Sequence, residues 1–420
     1  MREEDRDLLQ AMFSAAVKAA EPGAAMRPFL PARPKGRVVV VGAGKGAAQM
    51  AAAFEELWDG PVEGVVVTRY GFGAKTRAIR VMEAAHPVPD EAGLAATDAL
   101  FKAMEGLGSD DLVIALVCGG GSALLAGPGE GLALSDEVAL NEALLASGAP
   151  IGAMNAVRKM VSRVKGGRLA AAAHPAKVVS LVVSDVPGDD PAQVASGPTV
   201  PDARGRAEAL AAVRDYAIKL PARVAAFLER ADEPPKPEDA CFAGNEVHVI
   251  ASAAKSLEAA ARVAEQAAFA TAILSDAIEG EAREVAKMHA AIAREVAMRD
   301  RPFSRPVAIL SGGETTVTLR GEGGRGGRNS EFLLSFALAV DGVEGIAALA
   351  ADTDGVDGSE DNAGAFADGQ TAVRMRTAGA DPADALACND AWGAFAAVGD
   401  LYVTGPTGTN VNDLRIILIR

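Results

Sequence analysis

The sequence predicts an α/β protein of two domains, the first built on a mostly parallel sheet and the second on a mixed sheet. Three observations predict it. Short β-branched runs alternate with Ala-rich stretches of helical period. Glycine-rich or acidic turns follow nearly every run, at the strand ends where open α/β sheets bind ligands. The stretch Glu233-Pro-Pro-Lys-Pro-Glu-Asp239 reads as a linker, so domains are expected at 1–232 and 240–420, joined by 233–239. A chain of 420 residues is also long for one ordinary core.

The elements follow in order. An amphipathic helix is expected around Leu8 to Ala19 and a buried strand at Arg37 to Val41. A helix over Gly46 to Trp58, strands at Gly64 to Thr68 and Ile79 to Glu83, and a helix from its Asp90 cap to about Glu105 come next. Leu112 to Val117 is a strong strand, helices follow near 135–147 and 151–164, and Val178 to Val183 is a strand. This alternation predicts parallel strands with helices on both faces. The first domain is expected to be Rossmann-like, and Gly42, Gly44 and Ala47 match GxGxxA directly after the first strand, alone a weak dinucleotide fingerprint. In the second domain strands are expected near 246–251, 271–275, 306–310, 315–320, 346–350, 400–404 and 414–419. The pair around Ser311-Gly312-Gly313-Glu314 is read as antiparallel.

Composition narrows the function. Lys and Arg number 41 against 56 Asp and Glu, a formal net charge of −15, and such a chain repels a polyanion. Only 4% of residues are aromatic, so base-stacking platforms are scarce. Nucleic acid is therefore not an expected partner. Cys118, Cys241 and Cys388 form no CxxC pair, which argues against a disulfide framework or structural zinc and suits the cytoplasm. The N-terminal MREEDRDLLQ is too charged for a signal peptide. Leu112 to Gly129 lacks charge, but Gly119, Gly120, Gly121 and Pro128 make it a strand, a turn and a helix start, not a membrane span.

Several turns carry candidate chemistry. An NAD site wants an acidic residue at the end of the second strand, and Thr68-Arg69 stands there, although an Arg could suit a 2′-phosphate. Lys45 inside the first glycine turn suits a phosphate better, although no Walker A pattern is present. Gly119-Gly120-Gly121-Ser122 opens a helix after the strongest strand, an anion-binding arrangement or a packing turn. Asn155 to Arg168 carries Arg158, Lys159, Arg163, Lys165 and Arg168, a local reversal of sign fit for a small anion, or a solvated helix face. Asp185, Asp189 and Asp190 surround one turn, and Asp352, Asp354 and Asp357 another. They are hard ligands for Mg²⁺ shared with phosphates, or plain Asp-Gly loops. Arg325 and Arg328 sit among glycines 321–327, a loop able to carry a guanidinium to phosphoryl charge. His86, before Pro87, could line a cleft, while the four histidines share no ligand spacing.

Taken together, HPVPD (86–90), CGGGSALL (118–125), NAVRKMVSRVKGGRLA (155–170), SDVPGDDPAQVASGPT (184–199), SGGETTVTLRG (311–321), GRGGRNSE (324–331), DTDGVDG (352–358) and TGPTGTNVNDL (404–414) closely resemble the glycerate 2-kinase family. This is the type with a C-terminal MOFRL domain, some of whose members are labelled hydroxypyruvate reductase. The resemblance implies two α/β domains with an active-site cleft between them, and ATP- and Mg²⁺-dependent phosphorylation of D-glycerate at its 2-hydroxyl. It places the catalytic Lys, Arg and Asp on Lys45, Arg325 and Asp352. In that frame Gly44, Gly119, Gly120, Gly121, Ser122, Gly312 and Gly313 would receive nucleotide phosphates. Asn155, Arg158 and Lys165 would bind glycerate, and Asp185, Asp189 and Glu314 would hold the metal. The expected partners are D-glycerate and a nucleotide, with no membrane, in a monomer or homodimer. Two other classes stay open: an NAD(P)H-dependent hydroxypyruvate reductase and a non-catalytic metabolite-binding protein.

Overall fold

The computed structural model describes residues 1–319 and 324–420. The chain divides into two compact units, one of Pro22–Ile250 and one of Met1–Glu21 with Ala251–Arg420.

The first unit holds a six-stranded sheet of β1 (Val38–Ala43), β2 (Glu63–Arg69), β3 (Ile79–Ala84), β4 (Leu112–Cys118), β5 (Lys177–Val183) and β6 (Glu246–Ala251), in the order β3-β2-β1-β4-β5-β6. Strands β1 to β5 pair in parallel. This is the doubly wound order, whose reversal of winding falls between β1 and β4. β4 is buried along its whole length, as a central strand covered on both faces must be. The predicted Asp90 cap is present: its carboxylate accepts the Gly93 N–H at 3.0 Å at the start of the helix Glu91–Ala103.

The second unit holds β7 (Ala270–Ile273), β8 (Gly280–Glu281), β9 (Val307–Gly313), β10 (Thr315–Thr316), β11 (Ile346–Asp352), β12 (Gly364–Asp368), β13 (Leu401–Tyr402) and β14 (Asp413–Ile419). The main sheet runs β13-β12-β11-β14-β9-β7 and is mixed, since β7 pairs with β9 in parallel and the other pairs are antiparallel. Both faces are buried with period two. Val307, Ile309, Ile417 and Ile419 face the helices Ala282–Arg299 and Arg328–Ala339. Ala308, Leu310, Ile416 and Leu418 face the helices Glu3–Ala19 and Ala253–Gln266.

Three expectations change. The predicted strand at 246–251 is β6, an edge of the first sheet, so the proline-rich 233–239 lies inside the first unit. The N-terminal helix belongs to the second unit, where Leu9, Met12, Phe13 and Ala16 share a core with Leu257, Ala260 and Ala264. The strand expected at 315–320 is only the two-residue β10, which pairs in parallel with β8 and not with β9. Position 320 lies outside the described residues.

His289 illustrates the core's polar fittings. One ring nitrogen donates to the Val285 carbonyl at 2.8 Å, and the other accepts from the Ser311 hydroxyl at 2.9 Å. Burial, with the Arg415 charge behind it, lowers the ring's pKa to about 4. The folded value is below the unfolded one, so the unfolded chain binds the extra proton between about pH 4 and 6.5. Stability from this group is full above that window and falls as pH drops through it, by up to about 3 kcal/mol. Urea midpoints should decline from pH 7 to 4.5, and His289→Gln should flatten that decline.

Candidate functional site

In the first unit the site is built at the switch point. The turn after β1 is Gly44-Lys45-Gly46, and the turn after β4 is Gly119-Gly120-Gly121. The two turns are tied together. The Lys45 N–H donates to the Gly119 carbonyl at 2.8 Å, and the Gly46 N–H donates to Cys118 Sγ at 3.2 Å. The Thr68 hydroxyl, at the end of β2, donates to the Lys45 carbonyl at 3.0 Å. Gly44 has φ +140°, and a Cβ there would lie 2.3 Å from Cys118 Sγ. Only glycine allows that approach. Lys45 is therefore held by its backbone on both sides while its side chain is only partly buried.

Around it stand other predicted residues. Asp185 follows β5 and lies so close to the glycine turn that a Cβ on Gly119 would meet its Oδ2 at 2.1 Å. Asp189, at φ 55°, sits further along the same loop. Ser122 and Ser196 share a hydrogen bond of 2.8 Å, and Ser196 donates to Asn155 at 2.9 Å. Arg158 donates to the same Asn155 oxygen at 3.2 Å and to Asn141 at 3.0 Å. One network thus joins Ser122, Asn155 and Arg158 beside the glycine turn. Burial pushes the Cys118 thiol up to about 12, with Asp185 adding to it against the Gly46 N–H and Lys45. The thiol stays neutral and serves as a packing and hydrogen-bonding group, not a nucleophile.

Lys165 is a correction. Its ammonium is buried, paired with Glu137 at 2.7 Å and bonded to the Leu125 carbonyl at 2.8 Å. A buried pair of this kind is committed to the fold, so Lys165 does not face a substrate.

In the second unit the ends of β9 and β11 meet the start of β14, where Asp413 is opposite both Gly313 and Asp352 in register. Asp352 and Asp413 are both buried. Arg328, which opens the helix Arg328–Ala339, reaches Asp352 at 2.7 Å and Asp413 at 3.2 Å, and also pairs with Glu314. Arg415 pairs with Asp413 at 2.8 Å, and Asn329 donates to it at 2.8 Å. Asp357 caps the helix, accepting the N–H groups of Asn329 at 2.9 Å and Ser330 at 2.8 Å. Burial, then Asp413 and Asp354, push the Asp352 carboxyl well above the usual carboxylate range, against the pull of Arg328. Such a carboxylate is a stronger base than a free one.

Here too the structure redistributes roles. Arg325 does not touch Asp352 in this arrangement. Its guanidinium pairs with Glu360 and lies 3.5 Å over the Trp392 ring, and its side chain is about half exposed. Gly312 and Gly313 are part of β9, not a phosphate-binding turn. The Gly312 N–H is spent on the Ser275 carbonyl at 2.8 Å, and both residues are buried. Glu314 is exposed and taken by Arg328. Of the glycine-rich loop, 321–323 lie outside the described residues. Sequence reasoning missed the part played by Arg328, Asp413 and Arg415, although GRGGRN and NVNDL hold the first two. It also missed Thr68 as an anchor of Lys45 and Cys118 as an anchor of Gly46.

A doubly wound sheet with a lysine and a glycine turn at its switch point, and a mixed sheet ending on buried carboxylates, define a two-domain α/β protein equipped to receive a small anion. A model described as a domain of unknown function, DUF4147, matches residues 8–229, and the MOFRL family model matches 307–413. The chain is 51% identical over 416 residues to an Agrobacterium vitis protein provisionally named hydroxypyruvate reductase, covering 99% of this chain and 94% of that one. It is 41% identical over 405 residues to the D-glycerate 2-kinase of Thermotoga maritima, covering 96% and 95%. The crystal structure of a glycerate kinase from Thermotoga maritima matches with a TM-score of 0.90 at 39% identity, over all of both chains. The chain belongs to the glycerate 2-kinase family with a C-terminal MOFRL domain.

The two arginines of the loop should separate in stability measurements. Arg328→Met strips a partner from buried Asp352 and Asp413 and should cost on the order of 2–3 kcal/mol. Arg325→Met removes a half-exposed guanidinium from Glu360 and from the Trp392 ring and should cost less, about 1 kcal/mol or below. Chemical denaturation of the two variants checks this.

Proposed function

We propose that the protein transfers the γ-phosphoryl group of ATP to the 2-hydroxyl of D-glycerate, giving 2-phosphoglycerate and ADP, with Mg²⁺, in the cytoplasm. The observation that carries the reading is Lys45, fixed between two glycine turns at the switch point of the first sheet. Phosphoryl transfer asks a protein mainly for positioning and for cations on the transferred group. Lys45 supplies one such cation. Arg325 supplies another, because its guanidinium is about half exposed and can exchange Glu360 for a phosphoryl oxygen. Asp352 orients the 2-hydroxyl and accepts its proton, and Arg328 keeps that carboxylate in place. Arg158 meets the glycerate carboxylate, with Asn155 holding the guanidinium.

The first turn of the segment Gly121–Leu124 leaves leading N–H groups for nucleotide phosphates, beside Gly119, Gly120 and Ser122. Among the described residues no three His, Cys, Asp or Glu are grouped to cage a metal. Mg²⁺ bound with phosphates needs only one or two carboxylates, and Asp185 against the glycine turn, with Asp189, fits that need. The ion would neutralise phosphate charge. All three cysteines are free, in keeping with a reducing compartment.

The reductase reading follows from the provisional name carried by some relatives. With NADH it would need an acidic ribose partner at the end of β2, and with NADPH a cation there free to meet a 2′-phosphate. There Thr68 is buried and bonded to Lys45, and Arg69 lies 3.9 Å from the Phe72 ring. Both activities are assayed on one preparation. Glycerate-dependent ADP formation is expected, without oxidation of NADH or NADPH by hydroxypyruvate. Nicotinamide oxidation that scales with enzyme, with no such ADP, would sink the kinase reading. Asp352→Asn should lower turnover by about 10³-fold or more while leaving stability equal or higher, because it relieves the repulsion from Asp413.

A further inference from the structure

The roles above leave His86 unused, and the structure puts it in the Lys45 site. A Cβ built on Gly120, whose φ is +81°, would lie 2.9 Å from Lys45 Cγ and 3.2 Å from His86 Nε2. The lysine stem and the imidazole edge therefore converge over one glycine of the candidate phosphate turn. The loop that carries His86 is pinned. Asp90 accepts the Tyr70 hydroxyl at 2.8 Å and the Gly93 N–H at 3.0 Å, and it also takes the Ala85 N–H.

Two cations face the ring, Lys45 from the turn after β1 and Arg69 from the end of β2. The carboxylates of the neighbouring elements are engaged elsewhere. Asp90 serves Tyr70, and Glu83 of β3 accepts the Gly73 N–H at 3.0 Å. Asp185 lies on the other side of the turn, against Gly119. Burial, then Lys45 and Arg69, lower the imidazole pKa to about 4. At neutral pH the site thus holds a neutral base beside two fixed positive charges.

We propose that His86 is an anion-binding residue of this site whose protonation is linked to occupancy. A phosphate over Gly120 offsets the charges of Lys45 and Arg69. His86 then takes one proton from solvent and donates it in a hydrogen bond to a phosphate oxygen. The inference rests on the phosphate-binding reading of the turn. It predicts that nucleotide affinity rises as pH falls, by a factor this one residue controls.

The test uses the full chain with ADP and Mg²⁺. Long-range ¹H–¹⁵N spectra follow the imidazoles from pH 7.5 to 4.5, with His86→Gln assigning the resonance. Saturating ADP is expected to raise the His86 midpoint by about two units. At pH 5 His86→Gln should then bind ADP about tenfold more weakly than wild type, and at pH 8 equally well. The wild-type titration stands by itself if the variant misfolds. Saturation by ADP with an unmoved His86 midpoint overturns the inference and leaves the nucleotide site intact. Absence of ADP binding together with absence of glycerate-dependent ADP formation overturns the functional reading, and this inference with it.

Discussion

The bond from the Lys45 N–H to the Gly119 carbonyl is the constraint from which the first unit's site follows. It forces the turns after β1 and β4 so close that Gly44 can carry no side chain against Cys118. In return it fixes a lysine at the one place where a doubly wound sheet opens a crevice. The same closeness brings Asp185 against Gly119, Ser122 within reach of Ser196, and His86 over Gly120. A site assembled from backbone contacts needs little rearrangement to receive charge, which is the economy phosphoryl transfer favours.

The second unit solves a different problem. Antiparallel register sets Asp352 directly opposite Asp413 at the buried end of the sheet. Two carboxylates there are costly unless cations share them. Arg328 and Arg415 do so, one entering from a helix start and one from β14 itself. The arrangement leaves Asp352 ionisable but more basic than an ordinary aspartate. That is a stored cost with a use, since a base is most effective when its affinity for a proton approaches the working pH.

Much of this was legible in the sequence because it is local. Strand runs such as VVVV before Gly42 and LVIALV before Cys118 announce themselves by composition, and glycines and aspartates mark their ends. What was not legible depends on partners far along the chain. β6 looks like the first strand of a second domain until β5 is there to pair with it. Lys165 looks like a free cation until Glu137 is placed beside it. Gly312-Gly313 looks like a turn, yet the ladder to β14 holds both in the strand. Arg325 and Arg328 are three residues apart in one glycine-rich run. Only the helix start at Arg328 decides that the latter reaches Asp352.

On the proposed function, Lys45 is placed for chemistry and not for stability. Its partly buried side chain is the only part that Lys45→Ala removes, and the backbone bonds to Gly119 and Thr68 remain. The direct measurement is the turnover of D-glycerate by Lys45→Ala beside its melting temperature. A loss of about 10³-fold or more in turnover is expected, with the melting temperature within about 2 °C of wild type. Near-normal turnover in a folded Lys45→Ala protein would contradict it.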